Sequence, residues 1–152
     1  MYQNTPINQW GALMFGAHCL KTWSSTQSVI ALSSGEAEFY GIVKGAAVVL
    51  GAVSLAQDLG LALKARVHTD SSAAKGIVSR RGLGKVRHIH TQFLWVQERL
   101  AAGDFSIHKE KTDDNVGDLM TKHLTADKLQ RFMAKLDCRS TSGQDDLTLR
   151  AA

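Results

Sequence analysis

Three carboxylates in this chain stand where distant segments could build one shared site: Glu38, Asp70 and Asp118. Glu38 falls in the first turns of a long apolar helix. Asp70 ends a short β-rich run, and Asp118 lies in a helical stretch after the last such run. Ligands of open α/β sheets gather at the carboxyl ends of strands, the place Asp70 would take. Carboxylates converging there suit Mg²⁺, which takes few protein oxygens and shares its remaining positions with water and phosphate. Mn²⁺ would be a second candidate for the same oxygen donors. Two such ions about 4 Å apart would hold the attacking water and the leaving oxygen of a phosphodiester. Taken singly, each acid reads as a cap or a solvated charge. Only the combination points to a site.

The choice of Glu38 over its neighbour Glu36 rests on helix geometry. Residues 1–35 contain no Asp or Glu, so these are the first carboxylates in the chain. Ser33 precedes Glu36 by three residues, the spacing of a capping box, which gives Glu36 a structural task. At about 100° per residue the two acids point roughly 200° apart and cannot serve one site. The stripe through Glu38 runs Ile42, Gly45, Ala46, Val49, Val53 and Ala56, which is core-like; that through Glu36 runs Tyr40, Lys44, Ala47, Gly51, Ser54 and Asp58, which is wetter. An acid heading a core-facing stripe is costly to bury without a partner, and a metal ion is one such partner. The alternative is that Glu38 faces solvent and merely favours the helix dipole.

Cations are concentrated beside these acids. Lys64, Arg66, Lys75, Arg80, Arg81, Lys85 and Arg87 fall within residues 64–87, where Asp70 is the only acid, and His88 and His90 extend the run. Such clustering suits a phosphate backbone, each contact of which releases counterions. Its plainer reading is a solvated loop.

The elements that must position these groups read as follows. Trp10–Gly16 and Ala17–Ser24 are apolar, aromatic-containing runs either side of a Gly turn, the pattern of a β-hairpin. Residues 28–32 are a third strand or the lead into the helix. That helix spans about residues 34–59 and stops at Gly60. A short strand over 65–69 feeds a second helix from Ser71. A third helix is expected over 87–102, with Val86, Ile89, Phe93, Val96 and Leu100 on one face and Gly103 as its stop. A last strand covers 105–108. Helices follow around Asp118, after the Asp113-Asp114-Asn115 cap, and over 125–136. The implied class is α/β, a mixed sheet with flanking helices. Residues 1–9 read as irregular, 10–136 as one domain and 137–152 as a polar, disordered tail.

Composition bounds the remaining choices. The chain has 152 residues, 44% apolar and 21% charged, which suits one globular domain and argues against wholesale disorder. A net charge of +4 leans mildly towards polyanions. Cys19 and Cys138 form no CxxC pair, so reduced thiols in an intracellular protein are expected. The histidines show no HExxH pattern, which counts against zinc. The longest uncharged run of the long helix, Gly45 to Gln57, is too short to span a bilayer, so no membrane partner is expected.

Several of these segments also resemble a known family. Lys21-Thr22-Trp23-Ser24-Ser25-Thr26-Gln27, followed by Ala31-Leu32-Ser33-Ser34-Gly35-Glu36-Ala37-Glu38-Phe39, is similar to a signature of the ribonuclease H domain in copia-type retrotransposon polyproteins. His68-Thr69-Asp70-Ser71-Ser72-Ala73-Ala74, Lys85-Val86-Arg87-His88-Ile89-His90 and Asn115-Val116-Gly117-Asp118-Leu119-Met120-Thr121-Lys122 resemble its later motifs, in the right order across about residues 10–135. The resemblance implies a ribonuclease H-like fold and Mg²⁺-dependent hydrolysis of RNA in an RNA/DNA hybrid. The reverse transcriptase portion of a parent polyprotein would be a partner. Position by position it makes Glu38, Asp70 and Asp118 the metal-ligating acids, and it leaves Lys75, Arg80, Arg81, Lys85, Arg87 and His88 as the nucleic-acid-binding candidates. The family carries a further Asp on a first strand, set between the hairpin and the Asp70 strand, and no carboxylate precedes Glu36 here. The expectation is therefore an N-terminally truncated domain that binds metal poorly and cleaves slowly or not at all. The alternative is a non-catalytic nucleic-acid-binding remnant of the same fold.

Overall fold

Apolar, aromatic-containing runs either side of a Gly16-Ala17 turn, with Gly16 at φ +60°, fold the start of the chain into the expected hairpin. Its strands are β1 (Asn8–Phe15) and β2 (His18–Thr26), antiparallel, with a register shift between Leu13 and Met14. Trp23 lies opposite Gly11 and its ring covers the bare glycine backbone; a Cβ there would come within 2.1 Å of it. The computed structural model describes residues 8–84, 89–111, 114–120 and 123–138, apart from the side chains of Asp118 and Met120. The expected tail from 139 onward and the motif residues Lys85, Val86, Arg87, His88, Thr121 and Lys122 lie outside the described residues.

Residues 28–32 form no strand and lead into α1 (Ser34–Asp58). Ser33 caps it, its Oγ accepting from Glu36 N at 3.2 Å. At the far end Gly60 takes φ +78° and Leu61 N donates to Ala56 O at 2.8 Å, closing the helix as the glycine implied. By length and composition α1 could also cross a bilayer. In this structure Phe39, Ile42, Val43 and Ala46 of α1 form the centre of the core.

β3 (Ala65–Thr69) alternates buried Ala65, Val67 and Thr69 with exposed Arg66 and His68. It pairs in parallel with β4 (Phe105–Lys109), Val67 opposite Ile107. Between them come α2 (Ser72–Val78), a 3₁₀ turn (Thr91–Phe93) and α3 (Trp95–Ala102). A second 3₁₀ turn (Val116–Met120) and α4 (Ala126–Lys135) follow. The core gathers Phe39, Ile42 and Val43 with Val67, Ile77, Val78, Val96 and Phe105.

Three expectations change. The third helix does not begin near residue 87; Ile89 and His90 are non-helical, and α3 starts at Trp95. His88, Ile89, His90 and Thr91 are all weak helix formers, and no side chain caps the turn. Ile89 is nonetheless buried, as its place on the apolar face implied. The stretch around Asp118 is a 3₁₀ turn, not an α-helix. The class is α/β, but among the described residues the single mixed sheet resolves into two two-stranded sheets, β1–β2 and β3–β4. The facing edges of β1 and β3 do not pair. A cleft floored by α1 lies between them.

Candidate functional site

The first turn of α1 separates the two glutamates, but not as the apolar stripes implied. Glu36 is 1% exposed, whereas Glu38 is exposed. Glu36 Oε1 accepts from the Tyr40 hydroxyl at 2.9 Å and Oε2 from Leu32 N at 2.8 Å. The reciprocal arm of the capping box thus reaches one residue further back than the motif predicts. Burial arises because the lead-in segment closes over this turn and Phe93 packs edge-on against Tyr40, centroids 5.0 Å apart. The wetter character of the Glu36 stripe begins only at Lys44. Glu36 is structural, as expected; Glu38 is the accessible acid.

Burial, then the hydrogen bond to Glu36 and its charge, push the Tyr40 phenol up to about 12. A tyrosine titrates near 10 in an unfolded chain. The neutral phenol therefore contributes stability that is fully present below pH 10 and lost as pH rises through 12. Urea titrations across that range should show wild-type stability falling steeply, and Tyr40→Phe should flatten the fall. An unchanged slope in the variant would assign the alkaline loss to other groups.

Glu38 and Asp70 line one cleft of about 1030 Å³. Its acidic end is set by three local structures. Gly35 lets α1 approach α2, since a Cβ there would meet Ala73 Cβ at 2.9 Å. Thr69 Oγ1 accepts from Ser71 N, and Ser71 Oγ caps α2 through Ala74 N at 3.1 Å, fixing the bend that holds Asp70. Asn115 Oδ1 accepts from Gly117 N at 3.0 Å, shaping the turn whose Val116 and Gly117 also line the cleft. Asp118 is the next residue along; its side chain lies outside what the structure describes. The structure therefore brings two of the three expected acids to one cleft, and to its wall the residues Val116 and Gly117 that precede the third.

Sequence reasoning missed Glu110, which lines the same cleft. Its amide donates to Thr69 O at 2.9 Å, extending the β3–β4 ladder by one residue, and its carboxylate pairs with His68 Nδ1 at 2.9 Å. His68 stacks on its cross-strand neighbour His108, centroids 5.4 Å apart. The one available signal was position: Glu110 closes the last strand as Asp70 closes its partner. Gln27, also unremarked, donates to Ala37 O at 2.8 Å and ties the hairpin to α1.

Of the basic candidates, Arg81 is exposed and Lys75 half-buried, and neither lines the cleft. Arg80 Nη2 donates to Leu83 O at 2.6 Å, and its guanidinium lies against Gly84. Lys85, Arg87 and His88 lie outside the described residues. Lys64 and Arg66 do line the cleft. Asp114 holds α4 against the turn that carries Asp118, through Arg131 and Lys135 Nζ, the latter at 3.2 Å. Lys135, with help from Arg131, keeps the Asp114 carboxyl below the usual carboxylate range.

Glu38 and Asp70 offer carboxylate oxygens in a solvent-open cleft, the donor chemistry Mg²⁺ takes when most of its shell is water. Among the described residues no group of three or more His, Cys, Asp or Glu side chains is arranged to hold a metal ion. Compared with known proteins, the chain matches no family model, no curated protein and no solved structure.

Proposed function

We propose that this chain is a ribonuclease H-like domain of the copia-retrotransposon type, acting on the RNA strand of RNA/DNA hybrids. Glu38, Asp70 and Asp118 are its metal-holding acids, with Mg²⁺ or Mn²⁺ as cofactor and the reverse transcriptase portion of a polyprotein as its partner. The observation that carries this reading is convergence. Glu38 and Asp70 come from separate elements yet line one cleft, beside the residues leading directly into Asp118. The bound cation would neutralise phosphodiester charge and orient a water. Lys64 and Arg66, further along the cleft, would draw the nucleic-acid backbone towards the acids.

A second reading has its own support. Glu36 is buried in contacts to Tyr40 and Leu32, so of the two acids in the first turn of α1 only Glu38 lines the cleft, and among the described residues no three acids are arranged to hold a metal ion. With fewer acids, the same fold would bind hybrid without cutting it.

The test is hybrid cleavage with Mg²⁺ or Mn²⁺ against EDTA, run beside Asp70→Asn. Slow, metal-dependent cutting that disappears in the variant supports the nuclease. Binding that weakens steeply with salt, with no cutting, supports the non-catalytic reading. Neither cutting nor binding would discard both.

A further inference from the structure

The β3–β4 sheet turns two different faces outward. Val67 lies in the core with Phe39, Ile42 and Val43 of α1, and Ile107, its partner on β4, packs against that core. Successive strand residues point to opposite faces, so Arg66, His68, Ser106 and His108 stand on the face turned away from α1. All four are exposed.

Two of them are a register pair. His68 lies directly opposite His108, and their rings stack with centroids 5.4 Å apart and planes inclined by 24°. Each ring engages a neighbour through one nitrogen: His68 Nδ1 meets Glu110 Oε1, and His108 Nε2 meets Ser106 Oγ, both at 2.9 Å. A carboxylate can only accept, so His68 Nδ1 carries the proton, and in the neutral ring the lone pair falls on Nε2. Ser106 has one hydroxyl proton, directed at Ala65 O in a long contact of 3.5 Å. Its oxygen therefore accepts from His108 Nε2, which leaves the second lone pair on His108 Nδ1. Among the described residues neither His68 Nε2 nor His108 Nδ1 has a hydrogen-bond partner.

An imidazole held by a carboxylate at one nitrogen and open at the other has the setting of a metal-binding histidine. Zn²⁺, Ni²⁺ and Cu²⁺ favour imidazole, whereas Mg²⁺ takes oxygen. Spacing motifs seek histidines within a few residues of each other, and these two meet only through the parallel register of β3 and β4. No third His, Cys, Asp or Glu among the described residues completes the set, so water would fill the other positions. Arg66 shares the face, and the Glu110 carboxylate offsets part of its charge.

We propose that His68 and His108 form a two-imidazole site for a divalent late first-row ion, Zn²⁺, Ni²⁺ or Cu²⁺. Glu110 orients His68, Ser106 orients His108, and the ion bridges β3 to β4 on the face away from α1. Binding opens the stack. Each ring turns about its Cβ–Cγ bond, a torsion with a broad low-energy range. The free nitrogens then stand roughly 3.3 Å apart, as two ligands of one tetrahedral ion do at bond lengths of about 2.0–2.1 Å. Both side chains are exposed, so the turn displaces water and not core. The site uses nitrogen donors and stands independently of whether Glu38, Asp70 and Asp118 hold a cation.

The full chain is titrated calorimetrically with Zn²⁺ and with Ni²⁺ at about pH 7.5, where protons compete weakly for imidazole. Long-range proton–nitrogen spectra of the histidine rings, recorded with Zn²⁺, identify the nitrogens that bind. The expected result is one ion per chain, with the largest shifts at His68 Nε2 and His108 Nδ1. His68→Ala and His108→Ala should each abolish this binding, and Glu110→Ala should weaken it about 10–100-fold. Circular dichroism checks that the variants fold; should one fail, the ring-nitrogen spectra of the parent decide alone. Four outcomes overturn the proposal: no binding at up to about 1 mM ion, shifts confined to other histidines, binding that survives either histidine substitution, or parental affinity in Glu110→Ala.

Discussion

Glu36→Ala should unfold at a temperature roughly 6–12 °C below the parent, a loss of about 3 kcal/mol. The substitution removes acceptors from two groups at once: the buried Tyr40 hydroxyl and the Leu32 amide that fixes the lead-in segment. Leaving a buried donor unpaired costs about 1–3 kcal/mol each, and the disturbed helix start adds to this. Glu36→Gln should cost only about 1 kcal/mol. Its amide oxygen can accept from Leu32 N while its NH₂ donates to the tyrosine oxygen, which is an acceptor as well as a donor. In the double variant Glu36→Ala/Tyr40→Phe the stranded hydroxyl is gone, so the losses should fall short of additive by about 1 kcal/mol. Urea denaturation of the parent, Glu36→Ala, Glu36→Gln, Tyr40→Phe and the double variant measures each value. Full additivity would mean that Tyr40 and Glu36 do not depend on each other. The result also bears on function, because Glu36→Gln should leave any Glu38-dependent metal chemistry intact.

What could be read beforehand was what local rules govern. The hairpin, the start of α1 at Ser33, its end at Gly60 and the α3 stop at Gly103 follow from glycine conformations and capping hydroxyls, which act within a few residues. The strand ending at Asp70 followed from β-branched alternation. The burial of Glu36 did not, because it depends on residues 29–32 and Phe93 folding over one turn of α1. Helical angles place a residue on a face, but they do not say what covers that face. The same gap explains the sheets. Periodicity marked four strands and implied one sheet, yet pairing depends on which edges come within hydrogen-bonding reach, and β1 and β3 do not. Glu110 was invisible for a related reason: a lone acid after a strand gains meaning only when the parallel register sets it beside the end of β3.

Gln97 illustrates a polar residue that pattern alone assigns to solvent and that the fold buries. It is 6% exposed on α3, beside the core residue Val96. Its Oε1 accepts from Gly82 N at 2.8 Å, while Nε2 donates to Ile77 O at 2.8 Å and Gly82 O at 3.1 Å. One side chain thus satisfies the last turn of α2 and both backbone groups of a glycine held at φ +73°. It anchors the turn that opens the basic loop. Gln97→Ala should cost about 1–3 kcal/mol, because three backbone groups lose their partner: Ile77 O is buried, whereas exposed Gly82 can turn to water. Gln97→Glu should be no better, since a carboxylate can accept from Gly82 N but would face two carbonyl oxygens with no proton to offer. Thermal melts rank the variants, and hydrogen exchange at Gly82 locates the damage. If Gln97→Glu melted with the parent, the amide's donor role would be wrong. If both variants lost stability while Gly82 exchange stayed slow, the turn would be held by something other than Gln97. Salt-dependent hybrid binding in Gln97→Ala adds a further readout. Arg80 and Arg81 directly precede the loosened turn, so affinity should fall most at low salt, where their phosphate contacts would count most.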